Sequence, residues 1–295
     1  MAPVPNPPAS VVVVGSANVD LVATSPRHPR PGETLIGSEF HEYPGGKGLN
    51  QAVAAVRAGA RTAFVCAVGD DDAGRFLHSI ASDEGLNLAG LHISPNEPTG
   101  RALIVVDDGG ENSIIVVPGS NASCPPVTDI GPSDVVLAQL EVPISTVTDS
   151  FIAAREAGAI TILNPAPAAK LSPELLSLCD IVIPNEHEIE LLGGVSRLQE
   201  AGIETVIVTK GAAGIDIHHQ GTSQRLSSFQ VTPVDTTGAG DAFCGSLAAS
   251  LAAGHTLEAA SLRALAGGAL ATTTHGAVPS LPFQDEIEAL IVASP

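Results

Sequence analysis

The sequence predicts an α/β fold in which a parallel sheet carries helices on both faces, with a small β-sheet flap beside it. Short, continuous β-branched runs recur along the chain, and helical stretches separate them. The first run, VVVVG at residues 11–15, ends in glycine and is typical of a strand that is buried on both faces. Regular alternation of strand and helix predicts a parallel sheet with both faces covered.

Five further runs have the same character: TAFVCAVG from residue 62, DVVLAQL from 134, TILN from 161, IVIPN from 181 and TVIVTKG from 205. Helices are predicted over residues 47–58, 73–84, 144–157 and 186–192. In the first helix, Leu49, Val53 and Val56 recur at helical spacing. The last third of the chain, residues 238–292, is predicted to be mainly helical.

Two segments interrupt this alternation and predict the β-flap. Residues 21–45 and 99–119 resemble antiparallel strand pieces, and DDGGEN forms the turn of the second. The sequence contains no internal repeat and no long linker. We therefore expect one domain over residues 11–295, preceded by a disordered tail at residues 1–10.

Composition excludes several classes of function. The chain has 295 residues with 32 acidic and 13 basic side chains, a formal net charge of −19, which repels phosphate backbones and anionic membranes. Aromatic residues make up only 3%, so stacking platforms for nucleic acid are scarce. We therefore expect no nucleic-acid partner. The sequence also has no apolar run of about 18 residues and no secretory leader, so no membrane partner is expected.

The four cysteines are spread along the chain and predict a reduced, cytoplasmic protein. They lie more than fifty residues apart and form no Cys-x-x-Cys pair, unlike a zinc site or a disulfide scaffold. They are Cys66, Cys124, Cys179 and Cys244.

The stretch DTTGAGDAF, residues 235–243, is a glycine-rich helix start that carries an acid. The free N–H groups at a helix N-terminus bind anions, and Gly238, Ala239 and Gly240 let a phosphate approach them. Asp241 in the same turn could accept a proton from an attacking hydroxyl. The alternative is an ordinary acidic first turn that complements the helix dipole.

Two further stretches follow predicted strands. PGGKGLNQAVAA, residues 44–55, opens a helix with Lys47 and Asn50 one turn apart, and its alternative is a plain helix-entry loop. GSANVD places Asn18 and Asp20 on one face of an extended chain, where they suit a polyhydroxy ligand; the alternative is turn formation. Ligands of open α/β sheets bind beyond the carboxyl ends of strands, where these residues lie.

PNEHEIE, residues 184–190, places Asn185 and Glu188 on one helix face, an arrangement that could hold hydrated Mg²⁺ or simply cap the helix. His218 and His219 point to opposite faces of a strand and cannot chelate one metal. The sequence has no Walker A, GxGxxG, HExxH or GxSxG motif, which argues against P-loop, dinucleotide, zinc-protease and serine-hydrolase chemistry.

Seven motifs in order resemble the PfkB (ribokinase-like) carbohydrate kinase family: GSANVD, GGKGLNQAVAA, GDDDAG, LNPAPA, PNEHEIE, VTKGAAG and DTTGAGDAF. The second and the last are the two signature regions of the family, and NPAPA is typical of its ribokinase branch. The resemblance extends over residues 11–292.

This resemblance implies ATP-dependent phosphorylation of D-ribose at its 5-hydroxyl, on a Rossmann-like core whose β-lid pairs two subunits into a homodimer. It assigns Asp241 as the general base and Gly238, Ala239 and Gly240 as the anion hole. The sugar positions are Asn18, Asp20, Gly46, Lys47, Asn50, Glu141 and Asp241. The nucleotide positions are Asn185, Thr209, Gly211, Ala212, Ala213, Gly214, Gly240 and Leu265.

The resemblance also implies two metal ions. Glu188 belongs to an Asn-x-x-Glu motif that acts on Mg²⁺ indirectly. A monovalent cation, K⁺, activates ribokinases, and the matching positions are Asp235, Thr237, Ala271, Thr274, Gly276 and Ser280.

Two residues and one segment depart from the family pattern. Leu265 stands where Asn or His commonly borders the adenine, and Thr274 replaces a frequent Arg. The segment between residues 192 and 205 is shorter than usual, which predicts a trimmed surface helix.

Three alternatives stay open. One is a kinase of the same fold that acts on fructose, a deoxyribose or a nucleoside, although a nucleoside would want an aromatic stacking partner. Another is a non-catalytic sugar-binding regulator, which has no need of Asp241 beside a phosphate-binding turn. The last is a dinucleotide oxidoreductase, which the absence of GxGxxG argues against.

Overall fold

The computed structural model describes residues 10–132 and 134–294. The predicted tail lies outside these residues except for Ser10, whose N–H and hydroxyl donate to Oδ1 of Asp134 over 2.9 and 2.8 Å. Within the described part of the chain, no helix combines the length and the apolar character that crossing a membrane requires.

Thirteen strands are described, and they form two sheets. They are β1 (Val11–Val14), β2 (Asn18–Ser25), β3 (Glu39–Gly45), β4 (Thr62–Gly69), β5 (Leu91–Ser94), β6 (Gly100–Asp107), β7 (Asn112–Val117), β8 (Val135–Ala138), β9 (Ile160–Leu163), β10 (Ile181–Val182), β11 (Thr205–Thr209), β12 (Ile215–His219) and β13 (Thr222–Leu226).

The α-helices that the structure describes are α1 (Lys47–Arg57), α2 (Asp72–Asp83), α3 (Ile144–Ala157), α4 (Pro173–Ser177), α5 (Glu186–Leu191), α6 (Val195–Glu200), α7 (Ala239–Ala252), α8 (Leu257–Ala271) and α9 (Gln284–Ala293). Short 3₁₀ turns cover Gly119–Ser123, Gly211–Ala213 and Val278–Ser280. The four predicted helices are present with bounds within one residue of those predicted. The segment between residues 192 and 205, predicted to carry a trimmed surface helix, contains the short helix α6.

The main sheet has nine strands in the order β13-β12-β11-β10-β9-β8-β1-β4-β5. All neighbours from β11 to β5 are parallel, as predicted, and only β12 and β13 run antiparallel. Val11 and Val13 on β1 pack into one core cluster, whereas Val12 and Val14 pack into the cluster on the opposite face. The continuous apolar run therefore reflects burial on both faces, and the predicted α/β class is confirmed.

The sequence did not predict the hairpin of β12 and β13. Its turn is Gln220-Gly221, and both residues have positive φ, 47° and 78°, as tight two-residue hairpins require. Residues of β13 are mostly exposed and polar, so no hydrophobic pattern marked the strand.

The predicted flap is a four-stranded sheet in the order β3-β2-β6-β7, called the lid sheet below. The pairs β2–β3 and β6–β7 are antiparallel, as predicted, but β2 and β6 are parallel. These two central strands are parallel because main-sheet elements, not a hairpin, connect them. At the β6–β7 turn, the Asp107 carboxylate accepts from the N–H groups of Gly109 and Glu111.

Glycines bring the two helix starts of interest together. A Cβ on Gly48 would overlap the backbone of Gly15 and Ser16, so α1 begins directly against the end of β1. A Cβ on Gly245 would lie 2.5 Å from the Gln51 carbonyl oxygen, so α7 packs closely on α1. This close packing places the first turns of α1 and α7 side by side.

Candidate active site

Asp241 lies in the first turn of α7, behind Gly238, which caps the helix with φ 78°. Its side chain is only 7% exposed. Oδ2 accepts from Asn50 Nδ2 and Oδ1 accepts from Gln51 Nε2, each over 2.9 Å. An acid that merely complements the helix dipole would not need two amide donors from another helix, so this geometry favours a functional carboxylate.

Charged groups gather around Asp241. The carboxylate of Asp241 raises the pKa of Lys47, against the opposing effect of burial. Burial, followed by the charges of Glu141 and Asp241, raises the pKa of Asp20 to about 7. Asp20, Lys47, Glu141 and Asp241 therefore form one electrostatically coupled group.

Glu141 fixes the start of α1. Its Oε2 accepts from the Ser16 hydroxyl over 2.6 Å and from the Lys47 N–H over 3.0 Å. Gly46 caps this helix with φ 90°, and a Cβ there would lie 2.8 Å from the Asn18 nitrogen. Glycine is thus required both by the backbone angle and by the close approach of β2.

Asn18 is 2% exposed and accepts from Asn121 Nδ2 over 2.7 Å. Asn121 also accepts from the Ala17 N–H over 2.9 Å, so it holds the entry to β2. Asn121, in the 3₁₀ turn Gly119–Ser123, was not among the predicted site residues.

A cavity of about 300 Å³ adjoins the first turn of α7. Six predicted nucleotide residues line it: Thr209, Gly211, Ala212, Gly214, Gly240 and Leu265. Asn185 and Ala213 are not part of the lining. The remaining wall includes residues that the sequence analysis did not identify, among them Phe229, Val231 and Phe243.

Two glycines shape this cavity. Gly240 carries no side chain toward it, and a Cβ there would meet no atom within 4 Å. Gly214 has φ 91°, and a Cβ on it would overlap the Leu226 carbonyl oxygen of β13. The backbone N–H groups at the start of α7 thus remain accessible from the cavity, as an anion site requires.

Asn185 and Glu188 form a capping box at α5. The Asn185 side chain accepts from the Glu188 N–H over 2.8 Å, and Glu188 Oε2 accepts from the Asn185 N–H over 2.9 Å. Burial raises the pKa of Glu188, against the opposing effects of that hydrogen bond and of Lys47. The capping interpretation is thus correct, and the second oxygen of Glu188 remains for another role.

Only some of the predicted K⁺ positions are linked to one another in the structure. The Asp235 carboxylate accepts from the N–H groups of Thr237 and Gly276, each over 2.9 Å, and joins the two loops. Burial alone would raise the pKa of Asp235, but these hydrogen bonds hold it below its ordinary value. The Ser280 hydroxyl donates to the Ala277 carbonyl, Ala271 is buried at the end of α8, and Thr274 is exposed.

No group of three or more His, Cys, Asp or Glu side chains within residues 10–132 and 134–294 could hold a metal ion. A carboxylate with backbone carbonyls nearby still suits K⁺, and a single carboxylate suits a hydrated Mg²⁺.

Three amide side chains behind Asp241 were also missed. Gln51, Gln139 and Asn164 form a hydrogen-bonded chain that ends at the carboxylate. Gln51 directly follows Asn50 within a motif that the sequence analysis had singled out. A glutamine at position 51 is typical of an ordinary helix surface, and the sequence does not reveal that this residue is buried.

A larger cavity, about 520 Å³, lies at the amino-terminal ends of β9, β10 and β11. Arg155, Asp180, Glu204 and His219 are among its lining residues, and none of the predicted site residues belongs to it. Ligands of parallel α/β sheets bind at the carboxyl ends of strands, so the smaller cavity is the candidate nucleotide site.

Known proteins share this arrangement of sequence and fold. The pfkB family carbohydrate kinases match residues 8–284. A ribokinase from Haemophilus influenzae is 38% identical over 295 residues, with 94% of this chain and 96% of that protein covered. The crystal structure of ribokinase from Thermotoga maritima has a TM-score of 0.86 and 33% identity, covering 96% of this chain and 99% of that one.

The structure of Arabidopsis thaliana ribokinase complexed with ribose and ATP also has a TM-score of 0.86, with 31% identity and coverage of 96% and 98%. Both the sequence and the fold match over nearly the whole chain. The chain therefore belongs to the pfkB family of carbohydrate kinases.

Proposed function

We propose that the protein phosphorylates D-ribose at the 5-hydroxyl with ATP, giving D-ribose 5-phosphate and ADP. The observation that carries the proposal is the Asp241 carboxylate, which two amide donors orient beside a cavity bordered by Gly240. The relatives support the same substrates, since the Arabidopsis protein is described as complexed with ribose and ATP.

Proton transfer is the task of Asp241. As the ribose oxygen forms its bond to the γ-phosphorus, the bond from that phosphorus to the β-bridging oxygen breaks and ADP leaves. Asp241 takes the hydroxyl proton, which makes the oxygen a better nucleophile. The N–H groups from Gly238 to Asp241 donate to the phosphoryl oxygens and stabilise their negative charge in the transition state.

The residues around the sugar supply both hydrogen-bond donors and hydrogen-bond acceptors. Asp20 and Glu141 supply acceptor oxygens, while Lys47 and Asn18 supply donors. Asn50 Oδ1 is buried and has no hydrogen-bond partner among the described residues, so a sugar hydroxyl that donates to it would satisfy it. These five side chains fix the acceptor oxygen in front of Asp241.

ATP occupies the cavity between the start of α7 and the loops after β11 and β13. Thr209, Gly211, Ala212 and Gly214 border its phosphate and ribose parts. Ala213 belongs to the same loop, and Asn185 pairs with Thr209 just outside the lining. Leu265, with apolar neighbours such as Phe243, offers an apolar wall for the base. We infer weak discrimination among purine bases, because Leu265 cannot hydrogen-bond with a base edge.

Two ions fit residues of this site. Mg²⁺, bound with the nucleotide, would neutralise phosphate charge, and Glu188 would hold its hydration shell through the oxygen left free by the capping box. Asp235 would supply the charge of a K⁺ site whose other ligands come from the loops containing Thr237, Ala271, Thr274, Gly276 and Ser280. The depressed pKa of Asp235 supports this role, since the group stays ionised at neutral pH.

The lid sheet supports a homodimer. Asp20 and Leu21 are adjacent on β2 and so point to opposite faces. Leu103 pairs with Leu21, and Ile115 pairs with Leu103, so both lie on the face turned away from Asp20. Leu103 is 45% exposed and Ile115 is 65% exposed. A second lid sheet would bury this apolar face.

We also propose that residues 11–295 act as one domain in the cytoplasm. The main sheet takes its strands from residue 11 to residue 226, and all four cysteines are free and buried. Free thiols suit a reducing compartment.

A coupled assay tests the function. Purified protein is supplied with ATP and, in separate reactions, ribose, deoxyribose, fructose or adenosine, in KCl or in NaCl. We expect the highest kcat/KM with ribose and a clear stimulation by KCl. A better rate with another sugar would transfer the proposal to that sugar, and ribose binding without ADP formation would establish a regulator instead.

A further inference from the structure

We infer that Gln51 is a positioning residue, whose amide holds the Asp241 carboxylate in the orientation that accepts the sugar proton, and that Gln139 and Asn164 fix the direction of that amide. The inference rests on the proposed function and concerns the same site. Neither the motifs nor the comparisons assign a role to these three residues.

Gln51 is fully buried and uses its whole amide. Its Nε2 donates to Asp241 Oδ1 over 2.9 Å and to Asn164 Oδ1 over 3.1 Å. Its Oε1 accepts from Gln139 Nε2 over 2.6 Å. Both amide hydrogens and the carbonyl oxygen therefore have partners.

Asn164 determines which way the Gln51 amide points. Asn164 Nδ2 donates to the Ile183 carbonyl oxygen over 2.9 Å, which leaves Asn164 Oδ1 facing Gln51. A carbonyl oxygen only accepts, so Gln51 must present Nε2 to Asn164 and thereby to Asp241. A flipped amide would place oxygen against oxygen at both contacts.

Gln139 completes the chain at the end of β8. It is fully buried, and a Cβ on Gly15 would overlap its Oε1, so the glycine makes room for it. That Oε1 has no partner among the described residues. An unsatisfied polar atom destabilises the fold when it is buried, whereas an apolar side chain would pack here without that penalty. The three hydrogen-bonded amides therefore stabilise the fold less than apolar side chains would, which favours a role for them at Asp241.

The charged and titratable groups that interact with Asp241 are Lys47 on α1, Asp20 on β2 and Cys244 on α7. Replacing Gln51 by Met changes none of these charges and nearly preserves volume. It removes one donor to the ionised carboxylate and one constraint on its rotation.

The experiment compares the wild type with Gln51→Met, Gln139→Met and Ser250→Ala. Ser250 is a matched control, since it is buried on α7 and donates only to the Ser246 carbonyl in the same helix. We expect Gln51→Met to lower kcat by about 10- to 100-fold, as a misplaced reacting group does, while KM for ribose changes less than about 3-fold. Gln139→Met should act in the same direction with a smaller effect, and Ser250→Ala should leave kcat unchanged.

A second readout needs no turnover. In protein carrying ¹³C-labelled Asp, the Asp241 carboxyl signal is identified by its loss in Asp241→Asn and then titrated by NMR. Removing a donor to the ionised form makes protonation easier, so the midpoint in Gln51→Met should lie at higher pH than in the wild type.

These two readouts separate the possible failures. An unchanged midpoint together with an unchanged kcat would overturn the inference, even if the melting temperature fell. A shifted midpoint in a protein that fails to phosphorylate ribose would contradict the proposed substrate and uphold the positioning role. If Gln51→Met does not fold, Gln139→Met decides by the same criteria.

Discussion

Asn50 donates a hydrogen bond from Nδ2 to Oδ2 of Asp241 over 2.9 Å, although 191 residues separate the two in the chain. One lies in the first turn of α1 and the other in the first turn of α7. The bond therefore unites two glycine-rich helix starts in one site, so that the proposed sugar positions and the proposed phosphate-binding turn meet at a single carboxylate.

Replacing Asp241 by Asn should separate catalysis from binding. The variant keeps the shape of the side chain but cannot accept a proton, so we expect kcat to fall by about 10²- to 10⁴-fold. Ribose affinity, measured by calorimetry, should change little. Asp285→Asn is the matched control, because Asp285 is an exposed acid in the first turn of α9. Near-normal turnover of the Asp241 variant would refute its role as the base.

Asp20 should couple sugar binding to pH and stability. Its pKa in the folded protein is about 7, above the ordinary value of 3.8, so the folded state binds more protons between these values. The stability that this proton contributes is present below about pH 4 and is lost as the pH rises through 7.

Asp20→Asn should therefore raise the melting temperature at pH 8 by several degrees, since 1 kcal/mol moves the Tm of a large domain by about 2–4 °C. The gain should be smaller at pH 5. KM for ribose should rise about 10- to 100-fold with the lost hydrogen bonds to a charged group. Asp108→Asn in the exposed lid turn is the control, and a lower Tm for Asp20→Asn at pH 8 would contradict the prediction.

Gly240 and Gly238 should respond differently to Ala. A methyl at Gly240 meets no atom within 4 Å and sits in a helix, so stability should stay equal or rise by up to about 1 kcal/mol. The methyl would still project toward the phosphates, so we expect kcat/KM for ATP to fall at least about 10-fold.

Gly238 has φ 78°, and its Cβ would lie 3.1 Å from the Ala277 Cα, so Gly238→Ala should destabilise the fold by about 1–2 kcal/mol. Urea unfolding and ATP kinetics on both variants test the pair. A Gly240→Ala enzyme with normal ATP kinetics would show that phosphate does not approach this turn.

The main sheet was predictable because burial on two faces leaves a continuous apolar signature. Val11 to Val14 belong alternately to the two core clusters, so every position had to be apolar. The β12–β13 hairpin left no such signature, because its outer strand is exposed and its turn depends on a positive φ at Gln220.

The sequence pointed to candidate site residues where they stand in rare patterns, and it did not point to amides that stand among common ones. Asp241, Lys47 and Asn50 stand in glycine-rich motifs whose spacing is unusual. Gln139 and Asn164 stand at the ends of β8 and β9, and only the three-dimensional structure brings them behind the carboxylate. Polar residues that support a site from within the core leave no periodic trace in a sequence.

The lid sheet offers a test of the homodimer with an internal control. Ile114 and Ile115 are adjacent on β7 and 53% and 65% exposed, but they point to opposite faces. Ile115 lies on the face turned away from Asp20, whereas Ile114 pairs with Ile104, which pairs with Val22 on the face of Asp20.

Burying an unpaired carboxylate costs several kcal/mol, so Ile115→Asp should weaken dimerisation by at least about 100-fold. Ile114→Asp should leave the dimer intact, because residue 114 lies on the other face of the lid sheet, the face of Asp20. Sedimentation velocity over a range of protein concentrations measures both. Dimers of equal strength in the two variants would mean that the subunits meet elsewhere, and monomers in the wild type would remove the lid contact altogether.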